Sequence, residues 1–398
     1  MIAATMNRHL LLLALCQGFF LTNNVVFIAI NGLVGLALAP LGWMATLPVM
    51  GYVVGSALSS PLVAKTQSHF GRKRSFQFGL VVAALSAALC AYAATTRNFW
   101  LLVAATVVAG YYNANAQLYR FAGPELVAPE HKAQAISFVM AGGVAGAFIG
   151  PNLANATRDW LPAPFAGAYV ALVGVALASL AVMSMIRFPA HAAPAPGSDR
   201  GRSVAELARQ PAFVVAVAAG ALAYGVMNLL MAATPLAMQR CGLPFRDAAL
   251  VIEWHVLGMF VPAFFTGHLI QRFGTLRVMV AGVLLNLACV AIALTGLELE
   301  RFLAALLLLG IGWNFLFTGA TTLLTTTYQP HERTRAQGAM DFCVFSTTAV
   351  TSFASGALVT TQGWFLLNLG SLVPLSMVAL ALAWLARRPR VPQAVAGP

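Results

Sequence analysis

The 398-residue chain is 60% hydrophobic and only 9% charged, with a mean hydropathy of +0.81. A water-soluble domain carries roughly 25% charged residues, so this composition excludes one and requires lipid over most of the surface. The formal charge of +12 does not indicate a nucleic-acid partner: the arginines stand singly between apolar runs, with no basic tract interleaved with aromatics.

A membrane-crossing helix needs about 20 apolar residues, and the chain divides into twelve such runs. In the first half they cover 10–36, 44–64, 76–95, 99–121, 133–155 and 164–186; in the second, 212–237, 248–270, 278–297, 302–326, 336–360 and 364–386. The stretch after Arg8 continues without a small-residue cleavage site and is expected to be a retained first helix. The longest polar break, with Pro189, Pro194, Pro196 and Gly197, has the composition of a flexible linker, with a short amphipathic helix expected over Ser203 to Arg209. The predicted organisation is therefore a six-helix unit (1–186), a linker (187–210), a second six-helix unit (211–386) and a tail (387–398).

Placing both termini in the cytoplasm puts eighteen of the 23 Lys and Arg residues on that side and five on the other. This positive-inside bias predicts an even number of spans in an inner (cytoplasmic) membrane. Three landmarks recur at an offset of 201: Pro61 and Pro262, Asn113 and Asn314, Pro129 and Pro330. Gly71 and Gly274 recur at 203. Matching order in matching topological places predicts a duplicated unit. Cys16, Cys90, Cys241, Cys289 and Cys343 are widely spaced and form no metal or disulfide pattern, and no cofactor motif occurs.

The loop after the second span reads Ala64-Lys-Thr-Gln-Ser68-His69-Phe70-Gly71-Arg72-Lys73, and its second copy reads Gly267-His-Leu-Ile-Gln271-Arg272-Phe273-Gly274. Both resemble G-x-x-x-D-R-x-G-R-R, the signature of the major facilitator superfamily. The resemblance covers nearly the whole chain. It implies an all-α integral membrane fold of twelve helices in two pseudo-symmetric six-helix bundles, with Gly71, Arg72, Lys73, Arg272 and Gly274 in the gating loops. Ser68 and Gln271 stand where the family has Asp, which helps latch its outward-open state, so that latch is expected to be weaker or built differently here. Gly146-Ala-Phe-Ile-Gly150-Pro151 resembles the core of the family's antiporter motif without its two following glycines. Its first expected role is close helix packing and bending. The run His255-Val-Leu-Gly258-Met259-Phe260-Val-Pro262-Ala-Phe-Phe-Thr-Gly267, followed by Gly312-Trp313-Asn314-Phe315, resembles a bacterial branch associated with uptake of riboflavin or siderophores.

The resemblance implies that the first, fourth, seventh and tenth helices line a central cavity. Each carries a polar stripe at helical spacing: Gln17, Asn24 and Asn31 with Asn23 beside them; Asn113, Gln117 and Arg120; Tyr224 and Asn228; and Asn314, Thr318, Thr321 and Thr325 next to Trp313. Polar groups facing lipid would stay unsatisfied, so these residues face a wet cavity or bond to neighbouring helices. For the four-helix pattern the cavity is the better reading. It makes Asn24, Asn113, Gln117, Arg120, Tyr224, Asn228, Trp313, Asn314 and Thr318 the candidate substrate ligands. Glu253 and Asp341 lie inside spans, where a carboxyl group can take up and release a proton as its surroundings alternate between wet and dry. With His255 they are the candidate proton-coupling residues; the competing reading is a structural pair or interfacial water.

No nucleotide-binding loop occurs, so an ion gradient, most simply of protons, would drive movement of a small organic solute. Uptake of a riboflavin-like vitamin or siderophore is one expectation and proton-coupled efflux the alternative. A membrane enzyme would show clustered acids or H-E-x-x-H, and a sensor an added soluble domain; the sequence has neither. The family resemblance implies a monomer.

Overall fold

The computed structural model describes residues 7–128, 131–189, 201–329 and 332–388. Pro129, Pro330, the middle of the predicted linker (190–200) and nearly all of the predicted tail (389–398) lie outside the described residues. Within them the chain is helical, and its breaks fall where the local sequence forces them. Asn7 caps α1 (Arg8–Leu38) by accepting the Leu10 N–H at 2.8 Å. In α2 (Leu47–Thr95) the backbone turns at Gly71, with φ 79° and ψ 166°, so this stretch is two helices in tandem. Asn98 caps α3 (Phe99–Ala116), which a break at Gln117 and Leu118 separates from α4 (Tyr119–Ala122). The first half ends with α5 (Lys132–Thr157) and α6 (Ala166–Ser184).

The expected amphipathic segment contributes one short turn, α7 (Val204–Leu207), closed by a capping box between Ser203 and Glu206. The second half contains α8 (Pro211–Arg240), α9 (Phe245–Phe260) and α10 (Ala263–Phe273), the last two bent by 43° across Val261 and Pro262. Gly274 then turns the chain into α11 (Thr275–Ala293) with φ 87° and ψ 150°. It ends with α12 (Leu299–Thr325), α13 (Arg333–Thr361) and α14 (Gly363–Ala386).

Among the described residues eight helices are long and apolar enough to cross a membrane, or nine with the bent α9–α10 pair counted as one. The predicted number is larger for identifiable reasons. One of the eight is the 54-residue stretch Gly42–Thr95 containing the Gly71 turn. The fourth and fifth predicted spans are absent from the eight; the fourth carries Tyr111, Tyr112, Asn113 and Asn115, and the fifth begins beside residues that are not described.

Apolar helices in lipid gain little from hydrophobic association and pack through small residues instead. A Cβ on Gly110 would collide with the backbone of Gly55 and Ser56 in α2, and one on Gly310 with the backbone of His255 and Met259 in α9. The two halves thus make the same kind of close approach at corresponding places. Along α5, Gly142, Gly146 and Gly150 face Ala14, Gly18 and Thr22 of α1, so the Gly146–Pro151 motif seats α5 on α1.

The start of α1 meets the segment after α6, with Arg187 N–H directed to His9, while Leu207 and Phe213 pack with Leu382 and Leu385. The start of α1, the end of α14 and the described residues flanking the linker therefore share one end of the bundle, here the terminus end; the opposite one is the far end.

Candidate functional site

The contacts that join the two halves cluster at the far end. Thr46, just before α2, donates to the Phe353 carbonyl of α13 at 3.3 Å and accepts the Gly356 N–H at 3.1 Å. Trp43 meets Phe353 edge-on at 5.8 Å, and Phe165 meets Phe245 at 4.7 Å. A cavity of about 130 Å³ remains between Leu33, Arg158 and Phe165 on one side and Pro235, Leu243 and Phe245 on the other. Deeper in, Asn152 Nδ2 of α5 donates across the seam to Glu253 Oε2 of α9 at 2.8 Å. At the terminus end the bonds found stay within a half. Arg72 pairs with Glu125 at 2.6 Å and Lys73 donates to the Ser184 carbonyl at 2.7 Å. In the second half, Arg202 pairs with Glu332 at 2.7 Å. Among the described residues, then, the bonds between the halves gather toward the far end, and those at the terminus end stay within each half.

Between these levels lies an aromatic cluster. Trp313 and Phe317, one helical turn apart on α12, stack at 5.2 Å with their planes 9° apart. Tyr224 of α8 stands edge-on to both at 5.5 Å. Among the described residues the buried indole Nε1 of Trp313 has no hydrogen-bond partner, nor does the buried Nε of Arg120. Arg120 of α4 is within electrostatic range of Asp341 of α13 and of Tyr224, and makes no ion pair among the described residues. Tyr52, buried in α2, faces Asn23 and Tyr224. The aromatic cluster thus belongs to the second half, the Arg120 guanidinium of the first lies within electrostatic range of its Tyr224, and Trp313 and Arg120 each keep a buried donor without a partner among the described residues.

The other predicted ligands sit differently. Asn113 Nδ2 donates to Ser56 Oγ at 2.8 Å, tying α3 to α2. Asn314 accepts from Thr266 Oγ1 at 2.6 Å and donates to the Met259 carbonyl at 2.7 Å, tying α12 to α9 and α10. Asn228 donates to Ser352 Oγ at 2.9 Å and Thr351 Oγ1 at 3.1 Å, fixing α8 to α13. In α1, Asn31 accepts from Tyr169 at 2.5 Å, whereas Asn24 is half-buried. Gln117 and Thr318 are also half-buried, and the Thr321, Thr322 and Thr325 hydroxyls bond back to their own helix. His255 is fully buried between α9 and α12, with Nδ1 2.7 Å from the Leu306 carbonyl. Arg272 lies over Phe273 with 5.4 Å to the ring centre.

Sequence reading missed Tyr52 and Asn152. Tyr52 belongs to a helix not expected to line the cavity. Asn152 directly follows the Gly146–Pro151 motif, and its pairing with Asn155 near the end of an otherwise apolar helix was the available signal.

The sequence matches the family model described as Major Facilitator Superfamily over residues 10–261 and 219–397. The chain belongs to the Major Facilitator Superfamily. It is 39% identical to riboflavin transporter RfnT of Brucella anthropi, over 92% of each chain. It is 27% identical to the uncharacterized MFS-type transporter YddS of Bacillus subtilis, covering 87% of this chain and 83% of that one. Among solved superfamily folds, a bacterial homologue of the human lysosomal transporter Spinster, in an inward-facing and occupied conformation, superposes with a TM-score of 0.73 at 15% identity. That match covers 96% of this chain and 98% of the other. A point mutant of nucleoside transporter NupG gives 0.77 at 10% identity over 95% and 99%. Membership makes this a multi-pass membrane protein of the transporter class.

Proposed function

We propose that this superfamily member carries a riboflavin-like solute across a bacterial inner membrane by alternating access, with the terminus end in the cytoplasm. The observation that carries this reading is the Tyr224–Trp313–Phe317 wall with Arg120 of the other half within electrostatic range of Tyr224, in a chain 39% identical to a riboflavin transporter. A flavin is a flat ring system with carbonyl acceptors along one edge and a polyol tail. The wall offers a stacking face, the Trp313 indole N–H and Arg120 offer donors without partners among the described residues, and half-buried Asn24, Gln117 and Thr318 suit a hydroxylated tail. Cross-half bonds gathered at the far end, with the terminus-end bonds of the described residues kept within each half, support an inward-open state. A single chain holds the whole site, and protons are the proposed coupling ion, with Glu253 and Asp341 as the ionisable groups available within the spans.

The test is uptake of labelled riboflavin into proteoliposomes with an imposed pH gradient. Accumulation enhanced by an inward proton gradient and lost in Arg120→Ala supports the reading. Stimulation by the opposite gradient supports proton-coupled efflux instead, and absence of riboflavin binding and movement overturns the substrate assignment.

A further inference from the structure

Closure of the far end rests mostly on apolar and backbone contacts: Trp43 on Phe353, Phe165 on Phe245, and the Thr46 hydroxyl with backbone groups of α13. Asn152 and Glu253 are the exception. They place an ionisable side chain of one half in a 2.8 Å hydrogen bond with a side chain of the other. Glu253 is 7% exposed; Asn152 is itself exposed, and its Nδ2 is shared with the Phe148 carbonyl of its own helix, also at 2.8 Å. Gly142, Gly146 and Gly150 lock the opposite face of α5 to α1. Asn152 therefore moves as part of the first half, and Glu253 as part of the second.

Among the described residues no cation supports this carboxyl group. The ionisable residues of α5 and α1 are confined to their terminus-end starts: Lys132 in the former, Arg8, His9 and Cys16 in the latter. In α12, Glu300 and Arg301 lie in the first turn, and in α8 Tyr224 sits in the aromatic cluster while Arg240 reaches the Val359 and Thr360 carbonyls. On α10, His268 and Arg272 lie beyond the bend. Within α9, Arg246 and Asp247 are at its start, and His255 points to Leu306.

A charged carboxylate that leaves water for such a place loses its hydration and gains one neutral amide donor. The protonated acid loses much less and keeps the same bond. Closing the seam thus discriminates between the two forms.

We propose that Glu253 and Asn152 form a proton-responsive latch at the far end, in which proton binding to Glu253 holds the two halves together there and proton release lets them part. This rests on the alternating-access reading and adds the step at which a proton acts. It also fits a chain whose loop motifs carry Ser68 and Gln271 in place of acids, because a proton-responsive contact then sits at the other end of the bundle. The latch responds to the aqueous phase that the far end faces when it opens.

The test measures distances between spin labels on the full-length protein in nanodiscs. Labels go at Asp159 and Arg246, on opposite halves at the far end, in a background with the exposed native cysteines replaced. Raising the pH from about 5.5 to about 8.5 should increase the open-to-closed population ratio about tenfold in the parent protein. Glu253→Gln, an isosteric neutral side chain, should remain closed with less than about twofold change. Asn152→Ala keeps the carboxyl but removes its donor, and should raise the open fraction at both pH values. A parent protein without pH dependence, a Glu253→Gln variant that follows the parent, or an Asn152→Ala variant identical to the parent would each overturn the latch. Riboflavin uptake is scored separately: distances that respond as expected in a protein that does not move riboflavin sustain the latch and reject the substrate.

Discussion

Gly71 and Gly274 adopt nearly the same unusual backbone conformation, φ 79° with ψ 166° and φ 87° with ψ 150°, at the two loop motifs 203 residues apart. This region is essentially reserved for glycine, because a Cβ there strains the backbone. A Cβ added at either position would meet no atom of the described residues within 4 Å, so crowding plays no part. Gly71→Ala and Gly274→Ala should each cost about 1–3 kcal/mol, seen as a lower unfolding temperature in detergent. Gly267→Ala, equally uncrowded but helical, should change it little. If the three variants unfold together, the positive φ is not what these motifs need glycine for.

Asn314 shows how an inward-looking polar stripe can serve packing. Its carbonyl oxygen takes the Thr266 hydroxyl and its amide feeds the Met259 carbonyl, leaving it 3% exposed. Asn314→Ala removes both bonds, although the Thr266 hydroxyl keeps the Pro262 carbonyl at 2.8 Å, and should lower stability by about 1 kcal/mol, with riboflavin affinity changed less than stability. A double-mutant cycle with Thr266→Val should return a coupling of about 0.6 kcal/mol or more. Zero coupling would mean that the bond contributes nothing to the fold.

The fold was legible in the sequence because lipid imposes a length and an apolar composition on each span, and because duplicated landmarks keep their order. Gly71 and Gly274 were visible as motif members, and their shared φ is the physical reason they recur. The site was legible only in part. An Asn or Thr at helical spacing looks the same whether it faces a cavity or a neighbouring helix, and Asn113, Asn228 and Asn314 all found partners on adjacent helices. Trp313 and Arg120 keep buried nitrogens without partners among the described residues, as Asn113 keeps its Oδ1, which no spacing rule reveals. The Asn152–Glu253 contact joins residues 101 apart and depends on how the halves meet, a property of tertiary docking.

At the terminus end, Glu332 draws the linker onto the second half. Its carboxylate accepts from Arg202 Nε, Nη2 and backbone N–H and from the Gln329 N–H, all within 2.7–2.9 Å. The Arg202 guanidinium, with these backbone donors, holds the Glu332 carboxyl well below the usual carboxylate range. A depressed folded value means that the contribution is fully present above the ordinary value of about 4.3 and disappears only as pH falls through the depressed one. Amide protection at Arg202, followed by hydrogen exchange, should therefore be constant from about pH 5 to about 8 after correction for intrinsic rates. Glu332→Gln should lower it at every pH in that window. A parent protein that loses protection near pH 5 would show that the pair does not hold the linker.

The indole N–H of Trp313 separates a stacking role from a donor role in the proposed flavin site. Trp313→Phe keeps an aromatic ring that can lie parallel to Phe317 and edge-on to Tyr224, but it removes a buried donor that has no partner among the described residues. If the solute supplies the missing acceptor, its affinity should fall by about 0.5–1.5 kcal/mol, roughly two- to tenfold in dissociation constant. Trp313→Ala also removes the face and should cost more. Arg120→Ala tests the guanidinium of the first half, where a charged donor contributes about 1.5–3 kcal/mol when bonded to a ligand. Quenching of riboflavin fluorescence in detergent-solubilised protein gives all three values. Equal affinities for the parent and Trp313→Phe would assign the indole to packing, because a buried donor that meets a ligand acceptor cannot be deleted without loss.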